Sequence, residues 1–394
     1  MANTFKFGNK NWAWKEDYVL AYNDENNNFK PLPFDFTRSS SATRVNSSGL
    51  IETVGSGEPR IDYLNNADGH LLLEPSATNY STNSENPSSW FYVEYGSGSA
   101  GTITTGKTDM FGSTNAVQVD FPANAENASL WFGSLTSALS SGTETSSVYI
   151  KLVGDDTSDK NIQIRTGGVA SAITISGTEF VRYTASKTIS TNEGINLKVR
   201  PSQGTSSGGF SIIICQPQSE ATAYATSYIP TEGSSVTRAA ELGVTQDNVS
   251  SSVINQSEGT VFADINITKL DLSSTRRIIS LNNNSSSDRI VLYINAADKI
   301  SVFVIDGSSS QWDFNGTTIT STGRYKIALA YKQNDFAIYM NGVQEGTSTS
   351  GTIPTMSTID VGIENGASPL NDEVRDIKLY DTRLTNAELI ALTS

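Results

Sequence analysis

The sequence predicts an all-β protein, with an N-terminal extended β-rich arm and module followed by two antiparallel β-sandwiches. Three observations carry this expectation. Apolar residues fall in short, strand-length runs, and no helical period develops before the last ten residues. Between the runs lie clusters of Gly, Ser, Asn and Asp, which supply positive φ or bond their own backbone in turns. Hydrophobic residues make up 37% and charged residues 17%, and the balance is rich in Ser, Thr, Asn and Gly, which suits sandwiches with polar turns and not a helix-rich enzyme. At 394 residues the chain exceeds one ordinary core, so two or three domains are expected.

Residues 34–80 read FDFTRSSSATRVNSSGLIETVGSGEPRIDYLNNADGHLLLEPSATNY. Short extended segments at 34–37, 43–46, 50–54, 61–64 and 71–73 are punctuated by Ser-Gly, Gly-Ser-Gly and Asp-Gly turns, and none could form a core alone. Arg38, Arg44 and Arg60 are interleaved with Glu52, Glu58, Asp62 and Glu74. Such a density of fixed charge suits planar arginine–carboxylate pairs that hold chain segments or subunits in register. The single histidine, His70, reads as a solvated turn residue after Asp68-Gly69. Upstream, Trp12, Trp14, Tyr18 and Tyr22 stand in an otherwise polar segment. They are docking candidates for another surface, or they pack on the chain's own next segment. Residues 1–80 are expected to become ordered through self-association and docking.

A polar stretch at 80–90 with a turn-forming Asn-Pro marks the first boundary. Runs at 91–95, 116–121, 128–132, 144–152, 161–165, 172–175, 179–189, 195–200 and 210–216 then suit a jelly-roll sandwich of about nine strands. Cys215, the one cysteine, allows no internal disulfide and reads as an inert core residue. Residues 231–257 read as a linker. Runs at 260–267, 277–281, 289–295, 300–305, 311–314, 323–332, 335–340, 357–363 and 374–380 form a second sandwich, with an Asn341-Gly342 hairpin turn. Thr385-Asn386-Ala387-Glu388 is a capping box that opens one short terminal helix. The expected division is 1–80, 81–230, 231–257 and 258–394, with the last part folding by itself.

Charge and residue inventory exclude several functions. A net charge of −14 opposes tracking of phosphates, so no nucleic-acid partner is expected. No run approaches the ~18 apolar residues of a membrane span, and the first 20 residues hold no apolar signal core, so neither membrane insertion nor secretion is expected. One histidine and one cysteine leave no material for a catalytic triad or a zinc site. Glycoside hydrolysis needs two placed carboxylates. The nearest acidic run, Asp372-Glu373-Val374-Arg375-Asp376, holds an arginine that pairs with its acids, so a non-enzyme is expected. Glycan binding needs an exposed aromatic flanked by polar side chains. The candidates are Trp90, Tyr92, Tyr95 and Trp131 in the first sandwich and Trp312, with Gln311 and Asp313, in the second; the competing reading of each Trp is a core residue.

The stretches FTRSSSATRVNSSGLIE, PRIDY and LLLEPSATNY, echoed by SYIPTEGSSVTRAAE at 227–241, resemble a module of tailed-bacteriophage tail-fibre and head-spike-fibre proteins. This resemblance implies a virion-surface protein assembled in the host cytoplasm. Its implied partners are itself, as a homotrimer or dimer, other virion proteins of capsid or tail, and host surface glycans. The order WF, VYIKL, FVRYTAS and SIIICQPQSE, leading to ATSYIPT, resembles a carbohydrate-binding-module-like jelly roll. Residues 258–394, with the MNGVQEG hairpin and the terminal strand plus short helix, resemble a laminin-G/concanavalin A-like sandwich. Laminin-G-type domains often hold calcium at a rim of hard oxygens, which makes Asp298, Asp306, Asp313, Asp360 and Asp372 calcium candidates; no other cofactor is implied. A phage-borne glycan-degrading enzyme is the alternative, but the Glu-x-Asp-x-x-Glu pattern of laminarinase-like relatives is missing from this sequence. A bacterial adhesin is a third reading, which a secretion signal or wall-sorting tail would favour.

Overall fold

The computed structural model describes residues 5–8, 10–15, 18–23, 30–94, 101–123, 128–132, 138–139, 142–154, 158–166, 169–189, 193–194, 197–202, 209–270 and 273–394. The chain forms two compact units. Unit A comprises Met1–Gly49, Val54–Pro75 and Ala239–Ser394, and unit B comprises Leu50–Thr53 and Ser76–Arg238.

Unit A is a two-layer antiparallel sandwich. In one layer, Glu258–Ile267 lies between Gly323–Lys332 and Glu373–Tyr380, and Phe336–Met340 and Val343–Ser348 continue the sheet. In the other, Arg276–Asn282 lies between Thr358–Val361 and Arg289–Ile294, followed by Lys299–Asp306 and Ser309–Thr318. Alternate residues such as Ile290, Leu292 and Ile294, or Ile300, Val302 and Val304, point into one shared core, as a period of two requires.

The N-terminal residues complete this sandwich. Phe5–Gly8 pairs with Glu373–Tyr380 and with Tyr18–Asn23, which pairs in turn with Lys30–Phe36. Lys30–Phe36 pairs with Val244–Gln246, and Val244–Gln246 with Thr358–Val361, so the ladder runs without a break from one layer to the other. Phe5, Val19, Phe34 and Phe36 are buried in the common core, each contributing roughly 1.5–3 kcal/mol relative to exposure. The expected separate 1–80 module is therefore corrected. Its alternating residues are too few for a core of their own, and they are satisfied by the strand edge that Glu373–Tyr380 would otherwise leave bare. The approach is close: Gly8 has φ +91°, and a Cβ there would sit 2.3 Å from the Arg375 carbonyl oxygen.

Residues 231–257 are likewise not a free linker. Val236–Arg238 pairs with Ala77–Asn79 inside unit B, while Val244–Gln246 and the buried Val253 and Ile254 belong to unit A. His70, read as a solvated turn residue, lies instead in strand His70–Leu72 and is fully buried, because its neighbour Leu71 enters the core and the strand pairs with Glu373–Tyr380.

Local signals at the C-terminus are realised as expected. Asn341 and Gly342 turn at φ 48° and 80°, joining Phe336–Met340 to Val343–Ser348. Helix Asn386–Thr393 begins with Thr385 as N-cap and a complete capping box to Glu388. Its Leu389 packs with Phe262, Ala328, Ala330, Ala337, Tyr339 and Tyr380, covering the outer face of the first layer.

Unit B is built from two five-stranded sheets. One runs in the order Phe91–Glu94, Ala128–Trp131, Leu197–Pro201, Lys160–Thr166, Val169–Ile175; the other Thr102–Lys107, Ala116–Phe121, Phe210–Glu220, Gly142–Leu152, Val181–Ile189. All nine expected runs are strands. Thr102–Lys107 was not foreseen because its residues are mostly polar and exposed. Cys215 is fully buried, and that burial pushes its thiol pKa well up, which disfavours the thiolate.

Candidate functional site

The two layers of unit A differ on their outer faces. The helix covers one. On the other, the register sets Thr245, Asp360, Ser280, Val291, Phe303 and Asp313 in one row across six strands. A second row runs Arg277, Tyr293, Ser301, Asn315, and a third contains Thr358, Asn282 and Arg289. Directly opposed residues share a face, so these side chains line one surface.

Its centre is a stack of cations on aromatic rings. The Arg277 guanidinium lies 4.8 Å from the Tyr293 ring centroid and 4.9 Å from that of Phe303, and Arg289 lies 4.5 Å from Phe303. The two rings are 5.0 Å apart. Both arginines converge on Glu364, at 2.7 and 2.6 Å. Burial lowers the Arg277 pKa against the pull of Glu364, and raises that of Tyr293. Arg277 Nη1 and Arg289 Nε are buried and make no hydrogen bond among the described residues. Buried guanidinium donors without an acceptor are uncommon and mark a place where an oxygen-rich ligand gains hydrogen bonds. Nearby, Asp360 accepts from Thr245 Oγ1 at 2.7 Å, Asn282 Nδ2 at 2.9 Å and Asn365 N at 3.2 Å, and burial raises its pKa.

The aromatic candidates chosen from sequence fall elsewhere. Trp312 is on the adjacent strand but points inward, 8% exposed, stacked on Phe314 at 5.6 Å and beside Phe336 at 5.7 Å. Its neighbour Asp313 is exposed and takes the outer face, since successive side chains alternate. Gln311 is half-buried and accepts from Thr352 N at 3.2 Å. Trp90 is a core residue, edge-on to Phe132 at 5.1 Å, with its indole N–H donated to the Asn83 carbonyl at 2.9 Å. Tyr95 and the side chains of Tyr92 and Trp131 lie outside the described residues. Sequence reasoning missed Arg277, Arg289, Tyr293, Phe303 and Glu364. The available signal was a ring at an outward position in the alternating runs RIVLYI and KISVFVID, where a small polar residue would serve a solvated face.

Of the docking candidates, Trp12 packs against the unit A core, and Trp14, 36% exposed, lies under the Arg44 guanidinium at 5.1 Å. Tyr18 and Tyr22 are half-buried in strand Tyr18–Asn23. The calcium candidates do not converge. Asp298 and Asp372 each lie 2.6 Å from Arg276, which fills the place of a cation, and Asp306 accepts from Thr352. Among the described residues no group of three or more His, Cys, Asp or Glu could hold a metal ion.

The interleaved charges of residues 34–80 do find planar pairs. Arg60 Nε donates to Glu241 Oε1 at 2.7 Å and its Nη2 to both Glu241 and Glu74, while Arg38 Nη1 donates to Glu241 Oε1 at 2.7 Å. Burial would lower the Arg60 pKa, but Glu241 and Glu74 raise it beyond its ordinary value. Glu241 closes the second echoed stretch, so the two sequence echoes meet in one buried ion cluster.

Residues 243–390 match the family model described as the concanavalin A-like lectin/glucanases superfamily. This part of unit A is a concanavalin A-like domain. Among solved structures, the chain is similar to the Ruminococcus gnavus IT-sialidase CBM40 at 17% identity, covering 39% of this chain and 93% of that one with a TM-score of 0.33. It is also similar to a heptameric SAP-like pentraxin from Limulus polyphemus, at 19% identity over 35% of this chain and 70% of that one, TM-score 0.28. A third is the botulinum neurotoxin serotype D binding domain, at 17% identity over 38% and 40%, TM-score 0.31. No curated relative matches the chain.

Proposed function

We propose that the protein is a non-enzymatic structural component of a tailed-phage virion surface, a head or tail fibre or decoration protein, whose sandwiches adhere to host-surface glycans. The observation that carries the glycan reading is the outer face of unit A, where Arg277 and Arg289 stack on Tyr293 and Phe303 and keep buried donors without acceptors. Forked guanidinium donors beside aromatic rings suit the hydroxyls and apolar ring faces of sugars. Hydrolysis would need a free acid and a free carboxylate across the scissile bond. On this face Glu364 is committed to two ion pairs and Asp360 to three donors, which favours binding over cleavage. The virion reading rests on the resemblance of residues 34–80 and 227–241 to phage fibre modules, and the shared ion cluster of Arg38, Arg60, Glu74 and Glu241 gives that pattern a single structural purpose. A homotrimer, or a dimer, would multiply weak sites, since linked sites can add about 10² to 10⁴ in avidity.

The test is retention of the full-length protein on host-derived polysaccharide. Arg289→Gln and Phe303→Ala should each weaken retention about tenfold while the melting temperature holds. Release of reducing ends would favour the glycan-degrading enzyme instead. Antibody gold that labels neither capsid nor tail of purified virions would remove the virion reading.

A further inference from the structure

Unit B leaves one strand edge without the features that keep other edges from pairing. Strand Val169–Ile175 is the last of its five-stranded sheet and bonds on one side, to Lys160–Thr166, in an unshifted register that runs from Lys160 with Ile175 to Thr166 with Val169. No described strand pairs with its other side. Such an edge presents a row of unpaired N–H and C=O groups, which soluble proteins usually blunt with a charge, a proline, a bulge or a short length. Here the strand reads VASAITI, and residues 166–178 contain neither a charged side chain nor a proline. The other long edges among the described strands are guarded. Thr102–Lys107 shifts register between Thr104 and Lys107 and ends on a lysine. Val181–Ile189 carries Arg182 and Lys187, and Phe91–Glu94 is short and ends on an acid. In unit A, Ser309–Thr318 holds Asp313 and shifts register twice, and Val343–Ser348 holds Glu345, whose carboxylate accepts from Thr317 N at 2.9 Å.

The side chains leave this edge open. Val169 is 46% exposed, and Ala170, Ala172 and Thr174 are exposed and too small to fold over the backbone. Thr174 Oγ1 donates to Asn161 Oδ1 at 3.0 Å, so it lies back on its own sheet. On the opposite face Ile175 is buried in the core and Ile173 packs against it, which fixes the orientation of the strand. Val, Ile and Thr favour the extended backbone, so the strand is already shaped for a further neighbour.

We propose that the free edge of Val169–Ile175 pairs antiparallel with the same edge of a second copy of this chain, joining two five-stranded sheets into one continuous sheet about a two-fold axis. Charge selects the occupant. Two chains of net charge −14 repel, so they meet best where neither brings an acid, and this strand brings none. An unrelated peptide would find no charged group here to recognise, whereas an identical strand is matched in length and pattern. A two-fold centred on Ala172 sets Val169 of one copy across from Ile175 of the other and Ser171 across from Ile173 on the core side, and on the outer side Ala170 across from Thr174 and Ala172 across from its counterpart. The paired strands span roughly 24 Å at ~3.4 Å per residue. A contact one strand long and two layers deep is small, below about 1,200 Å² in total, so the dimer is reversible in the micromolar range. The inference stands apart from the glycan and virion readings and uses no residue of either.

The experiment is sedimentation equilibrium of the full-length protein, with Ala172→Lys, Ala172→Cys and, as a control at another exposed edge, Val343→Cys. The wild type should show a reversible monomer–dimer equilibrium at concentrations up to about 100 μM, where contacts of this size are populated. Ala172→Lys sets two like charges face to face at the axis and should weaken dimerisation tenfold or more, with the melting temperature unchanged. Ala172→Cys should cross-link into a covalent dimer under mild oxidation, because directly opposed β-carbons lie about 4.5–5.5 Å apart, a small relaxation away from disulfide geometry. Val343→Cys, whose parent residue is 61% exposed on the edge of unit A, should remain uncross-linked. A wild type that stays monomeric over the whole range leaves this edge to some other chain and overturns the proposal. A trimer in place of the dimer, a dimer that Ala172→Lys leaves intact, or equal cross-linking at positions 172 and 343 also overturns it. Should Ala172→Lys unfold, the wild type and the two cysteine variants still decide.

Discussion

Unit B and the concanavalin-like unit A are both antiparallel sandwiches with continuous apolar cores, but they close those cores from different material. Apart from one short strand, unit B draws on the unbroken stretch Ser76–Arg238. Unit A draws on three stretches, and its N-terminal strands Phe5–Gly8, Tyr18–Asn23 and Lys30–Phe36 fill the gap between the edges of a sandwich formed more than two hundred residues later. A contiguous sandwich pays little loop-closure cost per contact, whereas a distant graft must be held by specific contacts. The buried cluster of Arg38, Arg60, Glu74 and Glu241 is that contact, joining positions 203 residues apart.

The largest expected effect follows from removing the graft. A fragment 76–238 should melt cooperatively by itself. A fragment 239–394, deprived of Phe5, Val19, Phe34 and Phe36 and left with a bare edge at Glu373–Tyr380, should lose near-ultraviolet circular dichroism and aggregate. This reverses the expectation that 258–394 folds by itself. A cooperative native-like transition in 239–394 would mean that the N-terminal strands only decorate a finished sandwich.

Next in size is Glu241→Ala. It takes from Arg38 and Arg60 the carboxylate they share and leaves Arg60 its bond to Glu74, a loss of about 3–5 kcal/mol for a buried pair broken from one side. Ile164→Val in unit B should cost only about 0.5–1.5 kcal/mol. Denaturant melts read by separate probes in each unit should show Glu241→Ala lowering the midpoint of unit A alone. If both midpoints fall together, the two units unfold as one and the contrast fails. Smaller again is Thr385→Ala, which removes the hydroxyl that accepts from Glu388 N–H but keeps the backbone N–H that donates to the Glu388 carboxylate, at about 1 kcal/mol. Because the capped helix covers an outer face and not the core, exchange of its amides should quicken while the global midpoint shifts little.

These differences also explain what was legible beforehand. Periodicity gave most strands of both sandwiches, though not Thr102–Lys107, and local residue chemistry gave the Asn341-Gly342 turn and the Thr385 cap, because each is decided within a few residues. It could not give the partner of Phe34 or Val19, since alternation says that a residue is buried but not against what. It placed His70 in a turn because Asp68-Gly69 precedes it, although the strand pairing with Glu373–Tyr380 decides the matter from three hundred residues away. At the candidate site Trp312 lies on a neighbouring strand, and its side chain takes the core reading and not the glycan-binding one. Aromatic size drew attention to the inward Trp312, while the outward Phe303, Tyr293 and their arginines needed the register across four strands to come together.

The last effect lies at the seam itself and concerns pH. His70 Nε2 stands 3.5 Å from Glu373 Oε1 and 3.7 Å from Asp62 Oδ1, where strand His70–Leu72 meets Glu373–Tyr380. Burial, then Arg375 and Arg60, pushes the His70 pKa down to about 3, outweighing the opposite pull of Glu74. Burial, with Asp62 and Asp372 adding to it, raises Glu373 to about 7. A raised carboxylate binds its proton more tightly in the folded state, so Glu373 stabilises fully below about pH 4.5 and loses that contribution as pH rises through about 7. A depressed imidazole does the reverse: its contribution is full above about pH 6.5 and is lost as pH falls toward 3. Between pH 4.5 and 6.5 the two slopes oppose each other, so the joint contribution of His70 and Glu373 should be nearly flat there and decline gently between 6.5 and 7. Glu373→Gln removes one slope. In that variant unit A should grow steadily more stable from pH 4.5 to 6.5, by about one proton's worth of linkage, roughly 1.4 kcal/mol per pH unit at most. A variant that stays flat over this range would mean that His70 titrates alike in the folded and unfolded chain, and the seam would then be no more sensitive to pH than the contiguous core of unit B.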